Sequence, residues 1–177
     1  RSPAYPEMIE IVNGRTVDFE EYRFDAAAVR NVVETYVFTN GRPITKSMLA
    51  WWAYNDESQQ LMPLDVTLEI EHVFSRKRQE NERSLTDKNN LESLGNKILL
   101  EKSINIRASD YRFSDKKKYY NGFTNDKGKY KEGTRNTELV MMAKQKDDFC
   151  EEDIVTRKKA IIDAFIGYLE QNMLTIG

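Results

Sequence analysis

Cysteine and histidine are almost absent: the 177 residues contain only Cys150 and His72 of these two types. A lone cysteine cannot form a disulfide within the chain and is typical of a reducing cytoplasm, which is where we expect this protein. Zinc sites built from several histidines or cysteines are excluded for the same reason.

Long hydrophobic runs are missing too. No stretch approaches the roughly 20 apolar residues that a membrane-spanning helix needs, and the first residues show no signal-peptide pattern. We therefore expect no association with a membrane. The hydrophobic content of 40% is still enough for a buried core, and 177 residues suit one domain. Because the chain begins with Arg1 rather than methionine, we expect it to be a piece of a longer polypeptide.

Hydrophobic periodicity predicts an α+β domain that is mainly helical. Asn13-Gly14 lies between the apolar runs 8–12 and 16–19, which predicts a β-hairpin. Alternation over residues 66–71 predicts a strand that ends near His72, and the apolar run 98–100 predicts a second strand. Apolar residues at helical spacing predict helices around residues 29–37, 48–52 and 154–169. Residues 121–133 are predicted to form an exposed loop.

We divide the chain into three parts, which are expected to form one domain. Residues 1–62 are the N-terminal hairpin and its helical part, residues 63–131 are the core, and residues 132–177 are a C-terminal helical part.

Positive charge is concentrated in the middle part of the chain. Residues 76–131 contain 15 Lys/Arg against 8 Asp/Glu, a net charge of +7 in a chain of net charge −2. A basic middle segment is suited to binding a polyanion across one face of the protein. A solvated, charge-rich surface explains the same pattern.

The chemistry of the chain concentrates around Glu71-His72 at the predicted strand end. Histidine titrates near neutral pH, so a neutral His72 can act as a general base. Glu71 offers a hard anionic oxygen suited to Mg²⁺. Asn96 and Asn105 supply amide oxygens that either orient the imidazole or complete a metal shell. A glutamate beside a histidine is a weak motif by itself, because a lone histidine is more often a structural residue.

Three ordered segments resemble a known nuclease family. Residues 68–75 (Leu-Glu-Ile-Glu-His-Val-Phe-Ser), residues 94–100 (Leu-Gly-Asn-Lys-Ile-Leu-Leu) and Asn105 look like the HNH C-terminal domain of GmrSD-type restriction endonucleases. Phe113-Ser-Asp-Lys116 matches the family's downstream Phe-x-x-Lys. The HNH domain of CRISPR effector nucleases is similar in the same order of elements. The resemblance implies a mainly helical domain that encloses a ββα-metal element, with residues 63–131 as the HNH core.

The resemblance also implies roles for individual residues. His72 is the general base, Glu71 and Asn105 are ligands of Mg²⁺ or Mn²⁺, and Asn96 pins the loop and orients His72. Lys116 is expected to contact a DNA phosphate. Two further cations are candidates for DNA contacts, namely Lys117 and Arg107. The implied function is metal-dependent cleavage of DNA in restriction of phage, next to an N-terminal nucleotide-hydrolysing domain of the same polypeptide.

Three positions depart from the family pattern: Ser75 stands where proline is usual, Lys97 where leucine is common and Asp110 where asparagine is frequent. A different class of function therefore stays open, namely a non-catalytic nucleic-acid-binding or protein-docking module with a vestigial HNH site. RNA as the substrate stays open as well, because contacts to the phosphate backbone leave little trace in a sequence.

Overall fold

The elements of the chain are known from a computed structural model, which describes residues 5–15, 23–63, 65–109 and 112–176. Asp110 lies outside these ranges. In chain order the elements are α1 (Tyr5–Val12), β1 (Phe24–Asp25), α2 (Ala26–Thr35), α3 (Pro43–Tyr54), β2 (Leu68–His72), α4 (Arg76–Glu82), two 3₁₀ turns (Lys88–Glu92 and Leu94–Asn96), β3 (Lys97–Glu101), α5 (Lys102–Ala108), α6 (Phe113–Asn121), β4 (Phe123–Thr124), β5 (Tyr130–Lys131), α7 (Thr137–Gln145), α8 (Glu151–Gln171) and β6 (Thr175–Ile176).

Helices predominate, and the strands of the described residues form three two-stranded sheets. This mixed composition agrees with the predicted α+β class. No helix within the described ranges combines the length and the apolar character that crossing a membrane requires.

The chain divides into two compact units. The first comprises Arg1–Tyr36 and Ile162–Gly177. Within it β1 pairs in parallel with β6, and Arg30 of α2 forms a 2.7 Å ion pair with Asp163. The second unit, Val37–Ile161, contains every residue that the sequence singled out for chemistry.

The second unit is built around the antiparallel pair β2–β3. Its register places Glu71 opposite Ile98 and His72 opposite Lys97. All five residues of β3 are buried, as the apolar run predicts for a strand covered on both faces. Helix α5 follows β3 without a loop. The main hydrophobic cluster lies around this strand–strand–helix unit, and its members include Val73, Phe74, Ile98, Leu100, Ile104, Phe113, Tyr120, Leu139, Phe149 and Ile154.

The predicted N-terminal hairpin is wrong in its first half, because residues 8–12 belong to helix α1. Gly14 has a φ of 72°. The amide of Gly14 donates to the carbonyl of Ile11, and the amide of Arg15 donates to that of Glu10. These two bonds form a Schellman motif, in which glycine ends a helix. Asn-Gly serves a helix end as well as a hairpin turn. The other predicted strand, residues 16–19, lies outside the described residues.

Two further differences concern short elements. The predicted loop 121–133 contains the small antiparallel pair β4–β5. Helix α7 lies in the predicted C-terminal helical part 132–177, although no separate helix is predicted at its position. Ser75, which stands where proline is usual in the family pattern, has a clear structural role. Its hydroxyl accepts a 3.0 Å hydrogen bond from the amide of Arg78 and caps the start of α4.

Candidate functional site

A pocket of about 340 Å³ lies at the end of β2. Glu71 and His72 reach it from β2, Asn105 from α5 and Lys116 from α6. The other lining residues are Asn40, Ile70, Ser75, Arg76, Ile106 and Ser109. Four of the seven residues that the sequence marked for a site therefore share one pocket.

The alternation of β2 separates the site into two sides. Glu69 and Glu71 point toward the helices, where Asn105 of α5 and the side chains of α6 contact them. His72 lies one residue further along and approaches Glu92 of the first 3₁₀ turn instead. The Glu71 carboxylate and the His72 imidazole thus reach the pocket from different surroundings.

Glu71 is buried, with 5% of its surface exposed. Its Oε1 accepts hydrogen bonds from Lys116 Nζ at 2.5 Å and from the Tyr120 hydroxyl at 2.8 Å. Burial, followed by the charge of Glu71, raises the pKa of the Tyr120 hydroxyl well above its usual value of 10. Tyr120 is therefore a permanent hydrogen-bond donor to this carboxylate. Both contacts occupy Oε1, so Oε2 is the oxygen left to face the pocket.

Lys116 has only 1% of its surface exposed. In addition to Glu71, its ammonium donates to the main-chain carbonyl of His72 at 2.8 Å. This placement differs from that of a surface lysine reaching for DNA, because the ammonium is already held inside the protein. A buried ammonium between a carboxylate and a carbonyl has the partners that its charge requires. Phosphate binding by Lys116 stays a prediction.

His72 is the one buried histidine, and its Nε2 is the one buried side-chain polar atom of the described residues that makes no aligned hydrogen bond. That atom lies 3.3 Å from Glu92 Oε1. Burial lowers the pKa of His72 to about 4, although the nearby Glu92 carboxylate opposes this effect. Lys97 and Arg76 lower the same pKa further. His72 is consequently neutral at pH 7.

Asn105 lies in the second turn of α5, and its Nδ2 donates to Glu69 Oε2 at 2.9 Å. An ionised carboxylate only accepts hydrogen bonds, so the amide nitrogen must face Glu69 and the amide oxygen must face away. Glu69 therefore orients Asn105 with Oδ1 available to the pocket.

Asn96 is fully buried and does not line the pocket. Its Oδ1 accepts from the amide of Phe74 at 2.7 Å, and its Nδ2 donates to the carbonyls of Phe74 and Leu91, each at 2.9 Å. In addition, the amide of Val73 donates to the carbonyl of Asn96. These bonds tie the chain directly after His72 to the second 3₁₀ turn. The side chain acts on the backbone of the loop and not on the imidazole.

Neither Lys117 nor Arg107 lines the pocket. Lys117 Nζ lies 3.5 Å from an oxygen of Asp147, and a quarter of its side chain is exposed. Arg107 donates to the carbonyls of Ser103 and Glu132. DNA contacts by these two cations stay predictions.

Sequence reasoning missed several side chains around the pocket: Glu69, Arg76, Glu92 and Tyr120. Glu69 has a detectable signal, because it shares the strand face of Glu71 at a spacing of two. Glu92 and Tyr120 have no such signal in the sequence, because only the packing of a 3₁₀ turn and of α6 brings them near the site.

Two side chains of the pocket are of the oxygen-bearing type that hard cations prefer. The described residues contain no group of three or more His, Cys, Asp or Glu side chains placed to hold a metal. What they offer is the carboxylate of Glu71 and the amide of Asn105, two side chains that line the same pocket. Oxygen ligands of this kind suit Mg²⁺, which keeps several waters and binds through few protein groups.

Comparison with known proteins gives one result. The model of the GmrSD restriction endonucleases, C-terminal domain, matches residues 19–164. No curated protein and no solved structure matches the chain. The match covers most of the sequence and includes every residue of the pocket. The chain therefore belongs to the family of GmrSD restriction endonuclease C-terminal domains.

Proposed function

We propose that this domain is an HNH endonuclease that hydrolyses phosphodiester bonds in DNA and depends on Mg²⁺ or Mn²⁺. The observation that supports the proposal is the convergence of Glu71, His72 and Asn105 on one pocket. They reach it from a continuous strand–strand–helix unit, β2, β3 and α5. That order of elements is typical of a ββα-metal nuclease site, and membership of a restriction endonuclease family supports the same reading.

In this proposal His72 accepts the proton of the attacking water. Hydrolysis of a phosphodiester needs such a base, and the depressed pKa of His72 keeps its imidazole neutral and ready to accept a proton. Burial also makes the imidazole a weak base. A phosphodiester bound in the pocket counteracts this, because its negative charge favours the imidazolium that forms.

Glu71 Oε2 and Asn105 Oδ1 are the atoms that would hold the cation. When bound, the cation neutralises charge that develops on the leaving oxygen. Lys116 and Tyr120 fix the other oxygen of Glu71, and Glu69 fixes the amide of Asn105. Both ligands are thus oriented before any cation arrives, as is usual for side chains that bind metals through hydrogen-bonded supports.

The biological role follows by analogy with the family, whose members are restriction endonucleases. We propose that the domain cuts invading phage DNA in the cytoplasm, as the C-terminal part of a polypeptide with an N-terminal nucleotide-hydrolysing domain. Lys117 and Arg107 would contribute contacts to the phosphate backbone.

Incubation of the purified protein with supercoiled plasmid tests the proposal. Nicked and linear DNA should appear with Mg²⁺ or Mn²⁺ and should be absent with EDTA. His72→Ala should abolish cleavage while its DNA affinity and its cooperative unfolding stay close to those of the wild type. Equal cleavage by His72→Ala and the wild type would rule out His72 as the base. Loss of folding in that variant would instead indicate a structural histidine.

One observation favours the alternative, a nucleic-acid-binding or docking module with a vestigial site. Lys116 already places a positive charge 2.5 Å from Glu71, and an internal ammonium can take the place of a metal ion. This alternative predicts that the protein binds DNA equally well with and without Mg²⁺ and never nicks it. The plasmid assay therefore separates the two functions.

A further inference from the structure

Glu92 joins three cationic or titratable side chains next to the pocket. Its Oε2 lies 2.7 Å from Lys97 Nζ, and its Oε1 accepts from Arg76 Nη2 at 2.8 Å. The same Oε1 lies 3.3 Å from His72 Nε2. Glu92 has no role in the proposed function so far, and the family pattern described above does not include it.

Lys97 explains why Glu92 is held in place. Its side chain is completely buried, and its ammonium contacts Glu92 and the carbonyl of Phe38. Burial lowers the pKa of Lys97, whereas the hydrogen bond to Glu92 opposes this change. A buried ammonium needs a carboxylate partner. Lys97 is also the residue opposite His72 in the β2–β3 register, so the departure from leucine at this position puts a charge close enough to lower the pKa of His72.

Glu92 remains ionised under these conditions. Partial burial works against its charge, but hydrogen bonds from Lys97 and Arg76 outweigh it and hold the pKa of Glu92 at about 2. An ionised carboxylate has no proton to donate and can only accept hydrogen bonds. The ring nitrogen that faces it is therefore the one that bears the proton, because a lone pair in that position would be repelled.

The imidazole has no competing partner on that side. Nε2 is buried and makes no aligned hydrogen bond with any described residue, so its 3.3 Å contact with Glu92 is electrostatic. A neutral imidazole bears one proton, so a proton on Nε2 leaves the lone pair on Nδ1. Carboxylates select the tautomer and the orientation of histidines in this manner in other enzymes.

We propose that Glu92 is a positioning residue, which keeps the proton of neutral His72 on Nε2 and so leaves Nδ1 as the atom that accepts a proton from water. The catalytic part rests on the proposed function, because it takes His72 to be the base. The tautomer itself does not depend on any activity and is measurable in the metal-free protein.

Nitrogen NMR of protein labelled with ¹⁵N-histidine tests the proposal. Since His72 is the only histidine, the spectrum contains one imidazole and needs no assignment. At pH 7.5 in EDTA, Nε2 should show the shift of a protonated ring nitrogen and Nδ1 that of an unprotonated one. The reverse pattern in the wild type would overturn the proposal.

Two variants isolate the contribution of Glu92. Lys97→Met removes the buried ammonium, but Arg76 still binds Oε1 of Glu92, the oxygen that faces His72, so this variant should retain the wild-type shifts. Glu92→Leu combined with Lys97→Met removes the acceptor without stranding a buried charge, which protects the fold. In this double variant the shifts of the two ring nitrogens should move toward each other as both tautomers become populated. Unchanged shifts would overturn the proposal.

Cleavage measured on the same two variants distinguishes failure of this inference from failure of the proposed function. At saturating Mg²⁺, the single-turnover rate of the double variant should be on the order of 10²-fold below that of Lys97→Met, with equal DNA affinity. If the wild type cleaves plasmid and the two variants cleave equally fast, the positioning role is wrong and the nuclease assignment stands. If the wild type cleaves nothing, the nuclease assignment is wrong, and the NMR comparison still decides whether Glu92 sets the tautomer.

Discussion

Glu71 presents its two carboxylate oxygens to different surroundings: Oε1 is occupied by Lys116 and Tyr120, and Oε2 is left for the pocket. Glu71→Gln keeps the shape but removes the charge that attracts a cation. We expect this variant to cut plasmid much more slowly and to need a higher Mn²⁺ concentration. Asn105→Ala should behave in the same way, whereas Asn105→Asp should retain activity because a carboxylate also coordinates.

Titration of Mn²⁺ with plasmid nicking as the readout measures these effects. Glu82→Gln is a matched control, because Glu82 is also held by two side chains, Arg78 and Arg112, but does not line the pocket. If Glu71→Gln and Asn105→Ala respond to Mn²⁺ like the wild type, these residues are not the metal ligands.

His72 makes stability depend on pH. Its pKa is about 4 in the folded protein and ordinarily 6.5, so the unfolded chain binds the proton more tightly. The contribution of the neutral imidazole to the free energy of unfolding should be fully present above pH 6.5. It should be lost as the pH falls toward 4. From pH 7.5 to 4.5 this histidine should remove on the order of 2 to 3 kcal/mol from the free energy of unfolding.

Urea unfolding in EDTA at pH 7.5, 5.5 and 4.5 measures this loss against His72→Gln, which cannot be protonated. The carboxylates are common to both proteins, so the difference between the two pH profiles belongs to His72. Parallel profiles would contradict the buried, neutral state of the imidazole.

Helix α8 supports the turn that precedes β3. A Cβ at Gly95 would collide with the main-chain carbonyl of Ile154 and would lie 2.8 Å from the amide of Lys158. Both are backbone atoms of α8, which cannot move aside as a flexible side chain can. We expect Gly95→Ala to lower the free energy of unfolding by about 3 kcal/mol, as overpacking does in other proteins. Cleavage should fall as well, because Asn96 and Lys97 follow directly.

Gly167→Ala provides the control within the same helix. A Cβ there meets no atom within 4 Å, and alanine is the better helix former by about 1 kcal/mol. This variant should therefore be neutral or more stable in the same urea titration. Equal stability of Gly95→Ala and Gly167→Ala would show that the turn and α8 are not in close contact.

Strands and helices with a clear period were predictable from the sequence, and the side chains that meet through packing were not. The alternation in β2 and the buried run in β3 place Glu71 and His72 at a strand end, and the short link to α5 brings Asn105 close. The hairpin failed because Asn-Gly also ends helices. Glu92 and Tyr120 were missed because no period or spacing links them to His72 or Glu71.

Salt bridges inside the protein reduce the number of cations available to DNA. Among the basic residues in 76–131 that pair with carboxylates, three have side chains that are themselves at most 12% exposed: Arg78, Lys97 and Lys116. The affinity for plasmid should still fall steeply as salt rises from 50 to 200 mM. Lys117→Ala and Arg107→Ala should each weaken binding equally on any sequence and reduce the salt slope by about 1.

Lys116→Ala should give a different result in the same experiment. Its ammonium is held by Glu71 and by the carbonyl of His72, so its loss should lower stability and cleavage more than it changes the salt slope. Fluorescence anisotropy with a labelled duplex measures all three variants. An affinity of the wild type that is indifferent to salt would contradict a phosphate-binding surface.

One guanidinium nitrogen of Arg157 in α8, Nη1, donates hydrogen bonds to the carbonyls of Leu94, Gly95 and Lys97. Asn105, the last of the motif residues, thus precedes by 52 positions the side chain that holds their turn together. During translation the ribosome releases the motif well before it releases Arg157. Under the proposed function, a nascent chain in that interval has the catalytic residues but lacks a side chain that holds their turn, so we expect α8 to be synthesised before the domain can damage the DNA of its own cell.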